Sequence, residues 1–598
     1  MPRRLSSLWN RSRRRMRVNA ARSNLPQHTI EVLLAVCVGV LGAGGAVAFR
    51  WLLDTLRRLF FGEMAVWLEP IAPYHLLILP VLGAMLVGPL VAMLGPWAGG
   101  SGVPELQEAA ALRGGRLSGL RWLGKALASA LTIGSGNSAG REGPIAFIGA
   151  SLAADFGRLF PGGERQRKLL FACGAAAGVA ATFNAPLAGA FFALEIVLGT
   201  WGAETFAPVV VSAVVSSAIG RHVFGSAPAF DVPQYSLATF AELPVFAVLG
   251  LLAATVGVLF ITALYAVGDL WDRLRMPRAL RFAPAALLVG ALGLWDPGVM
   301  GLGYDTISAT LQGEMPGLGL LLLLMLGKLV ATSLTLGSGG SGGIFTPSLF
   351  IGAMLGGAVG VTVHGLVATH ITSAGAYALV GMGGVFAACS HAPITAVLTI
   401  FELTGDYRMI LPLMLTCGIA TVAARHMRRT SIYNLKLLRR GVHLELGRDV
   451  SLLNELLVRD AMTTDLVTVR PDDTGHDAMR LLEESTHHGF PLVDEQGLLH
   501  GIVTADDLRQ AAEEDRLDEP ITSIATHRLV VAFPEETLND ALRKLGMHHV
   551  GRAPVVAPDD HRKILGIITD KDIVAAYNHA LIRQHTDLQR TARAEWFE

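Results

Sequence analysis

One acidic side chain stands at a break in an apolar stretch: Glu142, in GSGNSAGREGPIAFIGA, follows a glycine-rich run and precedes a segment opened by proline. A carboxylate in such surroundings costs several kcal/mol unless it is neutralised, hydrated or held by donors. Arg141 is adjacent, but neighbouring helical residues point about 100° apart and do not face each other, so a permanent Arg141–Glu142 pair is disfavoured. The donors at hand are backbone N–H groups. Helix N-termini carry roughly half a positive charge and several unpaired donors, so their natural ligand is an anion. The element occurs twice: LGKALASALTIGSGNSAGREGPIAFIGA, from Leu123, returns 203 positions later as LGKLVATSLTLGSGGSGGIFTPSLFIGA, from Leu326, with 16 of 28 positions identical and no gap. Where the first copy has Arg141 and Glu142, the second has Ile344 and Phe345.

Both copies run an apolar helical pattern into a glycine-rich break and restart with proline, which is how a helix interrupted inside a membrane would be written. Composition agrees. At 598 residues, 52% hydrophobic and only 16% charged, the chain is too apolar for a soluble protein of its size. Apolar stretches begin near Ile30, Tyr74, Leu120, Leu169, Phe206, Val245, Leu318, Ala376 and Ile410, each at or near the length that crosses about 30 Å of hydrocarbon as helix. A second match joins the halves: FNAPLAGAFFALE ends at Glu195 and SHAPITAVLTIFE at Glu402, each with glutamate nine residues after Ala-Pro. The repeats then span about 30–222 and 240–428 of a membrane domain over 30–440, with a ligand site expected at their interface near the midplane. Whether the halves are inverted is not written in one sequence. The matched placement of Glu195 and Glu402 also suits a purely structural role.

The first 28 residues hold eight arginines and no acid, so a basic N-terminal tail over 1–29 is expected in the cytosol, retained rather than cleaved as a signal. The cluster RHMRR near Met427 places the end of the last span there too. Cys37, Cys173, Cys389 and Cys417 lie at unrelated spacings in apolar segments, which suggests neither a disulfide framework nor a metal site. No GxxxxGK[ST] phosphate loop occurs, and His364, His370 and His391 show no metal-ligand spacing. An embedded enzyme is therefore not expected, and a cation carrier would need acids or carbonyls at breaks where only Glu142 qualifies.

After a linker at 441–457 the pattern changes to short β-branched runs alternating with amphipathic helices, a soluble α/β module. From Ser451 onward 27 acids face 15 bases, although the whole chain is neutral. The module is also doubled: GIVTADDL at Gly501 recurs as GIITDKDI at Gly566, which divides it into 458–515, 521–580 and a C-terminal tail at 581–598.

Four motifs in order, GSGVPE at Gly100, GREGP at Gly140, GGIFTP at Gly342 and the tyrosine of SIYNLKLL, Tyr433, resemble the CLC family of chloride channels and proton/chloride exchangers, and the C-terminal module resembles a tandem CBS pair. The resemblance implies a multi-span α-helical membrane protein with a duplicated repeat, expected to be inverted, with broken helices, plus a cytosolic α/β CBS pair. It implies that Ser101 and Tyr433 supply hydroxyls, and Ile344 and Phe345 backbone N–H groups, to a central chloride. Neutral donors suit an ion that must both bind and leave. Serine in GSGVP is the family's chloride-associated choice. Taken alone, Ser101 could be only the N-cap of the helix VPELQEAAALR, and Tyr433 an interfacial belt residue. Glu142 is expected to occupy an anion site and to swing away when protonated. In the family's exchangers a second glutamate after the position of Glu195 passes protons inward. Here that position is Ile196, which favours uncoupled, channel-like chloride transport, with proton/chloride antiport by another route, Glu195 included, as the alternative.

For the CBS pair the resemblance implies adenine-nucleotide binding by Thr504 with Asp507 and Thr569 with Asp572, although threonine before a helix with aspartate three residues on is equally a capping signal. No cofactor is required for transport and no nucleic acid is expected. The implied partners are the lipid bilayer, chloride, protons if coupled, and a second copy in a homodimer with one pore per subunit. The implied location is a multi-pass protein of the cell inner membrane, if bacterial, with both termini cytoplasmic.

Overall fold

The computed structural model describes residues 26–580 except 118, 161–162, 201, 226–229, 231, 234, 236, 275, 278, 315–316, 367–371, 406, 441, 443–452, 454–455, 486–488, 549 and 578. The tails at 1–25 and 581–598 and most of the expected linker lie outside the described residues. Two compact units result, Met1–Leu444 and Glu445–Glu598.

The first unit is helical and reads as one series followed by a second of similar lengths. The first series comprises α1 (Gln27–Arg57), α2 (His75–Leu94), α3 (Val103–Leu112), α4 (Arg121–Gly134), α5 (Glu142–Gly157), α6 (Glu164–Phe183), α7 (Pro186–Phe191, continuing as a π-helical turn over Phe192–Leu198) and α8 (Ala203–Phe224). The second comprises α9 (Leu243–Arg273), α10 (Phe282–Trp295), α11 (Tyr304–Leu311), α12 (Leu318–Gly337), α13 (Phe345–Leu366), α14 (Ala374–Ser390), α15 (Pro393–Thr404) and α16 (Ile410–Met427), after which α17 (Asn434–Arg439) stands alone. Among the described residues, seven helical stretches are long and apolar enough to cross a membrane. They differ from the expected spans where breaks fall. The stretch expected from Leu120 is only the 14-residue α4, about 21 Å of helix, because the glycines after it stop the ladder. Past the second break, α13 is long and apolar enough to be a span in its own right, beyond those expected from the starts near Leu318 and Ala376.

Glycine lets the post-break helices lie against their followers. A Cβ on Gly149 of α5 would sit 2.1 Å from the Gly174 carbonyl oxygen on α6, and one on Gly352 of α13 would sit 2.3 Å from the Gly381 carbonyl oxygen on α14. The close contact is thus duplicated along with the sequence. Without a hydrophobic force between helices in lipid, such close packing is one source of association, alongside interhelical hydrogen bonds.

In the second unit, two antiparallel hairpins, β1 (Gly489–Val493) with β2 (Leu499–Thr504) and β3 (Arg552–Val556) with β4 (Ile564–Thr569), carry a register shift at the same point, Leu492/Val493 and Val555/Val556. The lead-in segments are exchanged. Val458 joins the core of Leu538, Ala553 and Ile568, whereas Ile521 joins that of Phe490, Leu492 and Val503. Thr463 accordingly bridges to Ile567, and Ile502 to Thr526.

Gly352→Val should prevent assembly, read as loss of the monodisperse peak in detergent size-exclusion chromatography. Gly365→Ala on the same helix, where an added Cβ meets nothing within 4 Å, should leave the peak intact.

Candidate functional site

The two broken elements pair with each other. Gly140 N–H donates to the Gly343 carbonyl at 2.7 Å and Gly343 N–H to the Gly140 carbonyl at 2.5 Å. These residues are 203 apart, so each position meets its own repeat counterpart, as happens only at a two-fold axis. Side chains follow the same rule. Ser129 bonds Ser341 at 2.8 Å and Ser138 bonds Thr332 at 3.0 Å, while Ser341 N–H donates to the Thr132 hydroxyl and Ser138 N–H to that of Thr335, both at 3.2 Å. Each contact is made twice with the roles of the copies swapped. The N-termini of α5 and α13 converge on this axis, which is the arrangement expected of an inverted pair.

Behind the breaks lie two residues that motif reading passed over. Lys125 and Lys328, the lysines of the repeated Leu-Gly-Lys, are fully buried. The Lys125 ammonium donates to the carbonyls of Ala98, Gly99 and Gly100 at 3.3, 3.2 and 2.6 Å. That of Lys328 donates to Val299, Met300 and Gly301 at 3.1, 3.4 and 2.9 Å. A buried cation would be expensive, and three aligned carbonyls per ammonium offset the cost while fixing the loop that supplies them. Each loop ends in a left-handed glycine, Gly102 at φ 83° and Gly303 at φ 76°, which starts α3 and α11 respectively. Their signal was available: a charge kept in both copies of an apolar segment.

Ser101 lies in the first of these loops and is buried. The N-cap of α3 is Gly102, with no side-chain cap bond, so the expected alternative of Ser101 as that helix's N-cap is not realised. Ser101 instead lines a cavity of about 430 Å³ together with Ile344, Ile432, Lys436, Arg439 and Arg440. Tyr433, which follows the cavity-lining Ile432, is buried and held through that neighbour: Ile432 N–H donates to the Cys389 carbonyl at 2.9 Å, and the Tyr265 hydroxyl to the Ile432 carbonyl at 2.7 Å. An ion-pair node ties the two hydroxyl-bearing segments. Glu105, four residues after Ser101, accepts from Lys436, three after Tyr433, at 2.8 Å and forms an ion pair with Arg440 at 3.1 Å.

Glu142 is the first residue of α5 and almost wholly buried. Thr346 donates to it through its hydroxyl to Oε1 and through its N–H to Oε2 at 3.4 Å, and the Tyr304 hydroxyl lies 3.4 Å from Oε1. Arg141 turns elsewhere, its guanidinium 5.1 Å from the ring centre of Tyr304 and 5.6 Å from that of Phe183. Among the described residues no ion pair joins Arg141 to Glu142. Ile344 and Phe345 stand at the start of α13, and the Phe345 ring meets Phe386 at 4.4 Å and Phe183 at 5.7 Å.

Ile196 is buried in the π-helical turn, where its carbonyl accepts the Gln107 amide at 2.8 Å. Glu195 is occupied otherwise. Its carboxylate accepts from Ile394 and Thr395 N–H at 3.3 and 2.6 Å and from the Thr395 hydroxyl at 2.6 Å, capping α15 of the other repeat. Glu402 returns the contact, accepting from Leu187 and Ala188 N–H at 2.9 and 2.7 Å at the start of α7. Both carboxylates sit where helix N-termini favour negative charge.

In the second unit Thr504 and Asp507 form a reciprocal capping box, the threonine hydroxyl and N–H both 2.8 Å from the carboxylate. Thr569 and Asp572 do the same at 2.7 and 3.0 Å. Thr474 with Asp477 repeats the box in the same unit without being a candidate nucleotide site, so the motif by itself is accounted for by capping.

Paired membrane repeats with helix N-termini converging on their axis define a duplicated, broken-helix transport protein. Sequence models say which: one described as voltage gated chloride channel matches residues 83–425, and one for the CBS domain matches 458–514 and 521–579. The chain is 35% identical over 407 residues to a putative chloride channel protein ClcB-like of Ralstonia nicotianae, covering 67% of this chain and 95% of the relative. It is 30% identical over 624 residues to chloride channel protein CLC-f of Arabidopsis thaliana, covering 90% and 78%. A solved slow cyanobacterial Cl−/H+ antiporter superposes with TM-score 0.62 at 28% identity over 70% of this chain and 99% of that one. A eukaryotic CLC transporter at 23% identity, TM-score 0.59, over 90% and 98%, shares the fold. The chain belongs to the CLC family of chloride transport proteins and carries a tandem CBS pair.

Glu105→Ala should free Lys436 and Arg440 and uncouple the Ser101 loop from the Tyr433 turn. The purified protein should then melt at a lower temperature than the wild type, and an unchanged melting temperature would show that the node does not hold the two segments together.

Proposed function

We propose that this protein carries chloride passively through a pathway between its repeats, with Ser101, Tyr433 and the N–H groups of Ile344 and Phe345 as neutral ligands and Glu142 as a protonatable gate. The carrying observation is the position of Glu142: an acid two residues from the paired Gly140, held by the hydroxyls of Thr346 and Tyr304 and the Thr346 N–H, and in no ion pair among the described residues. A carboxylate on neutral donors occupies what a halide would occupy, and protonation removes the charge that holds it there. Supporting the uncoupled reading, the position that would relay protons is Ile196, buried and apolar, and the adjacent Glu195 is engaged as a helix cap. A second reading, proton/chloride antiport, is favoured by one observation, the similarity to a structure described as a Cl−/H+ antiporter.

Purified protein in liposomes under opposed chloride and pH gradients separates the two. The expected reversal potential follows chloride alone. A shift with pH, or uphill proton movement driven by chloride, would establish antiport. In the same assay Glu142→Gln should conduct with no response to pH, and a wild-type pH response in that variant would remove Glu142 as the gate.

A further inference from the structure

We propose that Tyr304 and Thr346, both supplied by the second repeat, form a latch on Glu142 that sets the pH at which the pathway opens. The inference rests on Glu142 being the gate. Its basis is that the latch breaks the symmetry the scaffold otherwise keeps. Tyr304 follows the left-handed Gly303 at the start of α11, in the loop gripped by Lys328. Its counterpart follows the left-handed Gly102 at the start of α3, in the loop gripped by Lys125, and is Val103. Thr346 stands 203 positions after Gly143. Neither Val103 nor Gly143 carries a side-chain donor. The second repeat thus presents two hydroxyls to the carboxylate of the first, and no reciprocal pair exists because Phe345 stands where a second glutamate would be.

The hydroxyls act on charge rather than volume. The Tyr304 ring packs edge-on to Phe230 at 5.4 Å and beneath Arg141 at 5.1 Å, contacts that phenylalanine retains, while its hydroxyl reaches Thr346 and Arg141 as well as Glu142. Valine likewise keeps the shape of Thr346 and its N–H. The other ionisable groups near the carboxylate are Arg141 on its own segment and Tyr433 before α17. Arg50 and Asp54 of α1 lie behind Arg141. All four remain in the variants, so a change in midpoint reports the missing donor.

Donors to a carboxylate favour its ionised form, and opening requires the neutral form. Removing a donor must therefore let the gate open at higher pH. Chloride efflux from liposomes of full-length protein, measured from acidic to neutral pH, should show the midpoint moving up by about one unit in Tyr304→Phe and again in Thr346→Val. Thr346→Ser should restore the wild-type midpoint. Unchanged midpoints in folded Tyr304→Phe and Thr346→Val, with Glu142→Gln insensitive to pH, would overturn the latch and leave the gate standing. A wild-type pH response in Glu142→Gln would overturn the gate and the latch with it.

Discussion

Two pairs of backbone groups hold the centre of this protein. A helix broken in an apolar region leaves N–H and C=O groups that neither water nor lipid will satisfy, and each unpaired group costs several kcal/mol. Gly140 and Gly343 satisfy one another. Because the partner of each break is the other break, the repeats cannot be separated without exposing both, and the Thr346 N–H at the start of α13 reaches the Glu142 carboxylate at the start of α5. Side chains would obstruct this approach: a Cβ on Gly140 would meet the Glu142 carboxylate at 2.3 Å, and one on Gly342 the Ala139 methyl at 2.4 Å.

Around that axis symmetry is used for construction and broken for chemistry. The lysine-gripped loops, the reciprocal serine and threonine bonds, and the exchanged caps of Glu195 and Glu402 are each made twice. They share a physical logic, in which a polar group buried in one repeat is satisfied by backbone or hydroxyl of the other or of its own loop. The chemistry falls where the copies differ. Glutamate opposes phenylalanine, tyrosine opposes valine, threonine opposes glycine. The proposed gate, Glu142, is one of the residues that do not match under the two-fold.

The second unit repeats the strategy in soluble form. Its halves exchange lead-in segments, so that Val458 and Ile521 each complete the core of the other half. Its threonine–aspartate pairs were legible as motifs, yet the sequence could not separate capping from nucleotide binding, since both need the same hydroxyl and carboxylate at the same spacing. In the structure the capping geometry is present at every such pair described, candidate or not.

Much of the membrane fold and part of the site could be read from residues alone, because duplication, glycine-rich breaks and an isolated Glu142 are local patterns with one economical explanation in an apolar chain. Even the buried lysines were there to be read, as charges retained in both copies. Tyr304 and Thr346 were not. They lie 162 and 204 residues from Glu142 in sequence, and although Thr346 falls within GGIFTP, nothing local says that either hydroxyl reaches Glu142. Nor could spacing assign Glu195, whose cap lies 199 and 200 residues away on the other repeat. The sequence by itself determined that two broken helices exist and that one carries an acid. Which donors hold that acid was decided only by tertiary structure, because a two-fold axis brings residues together by their place in each repeat and not by their distance along the chain.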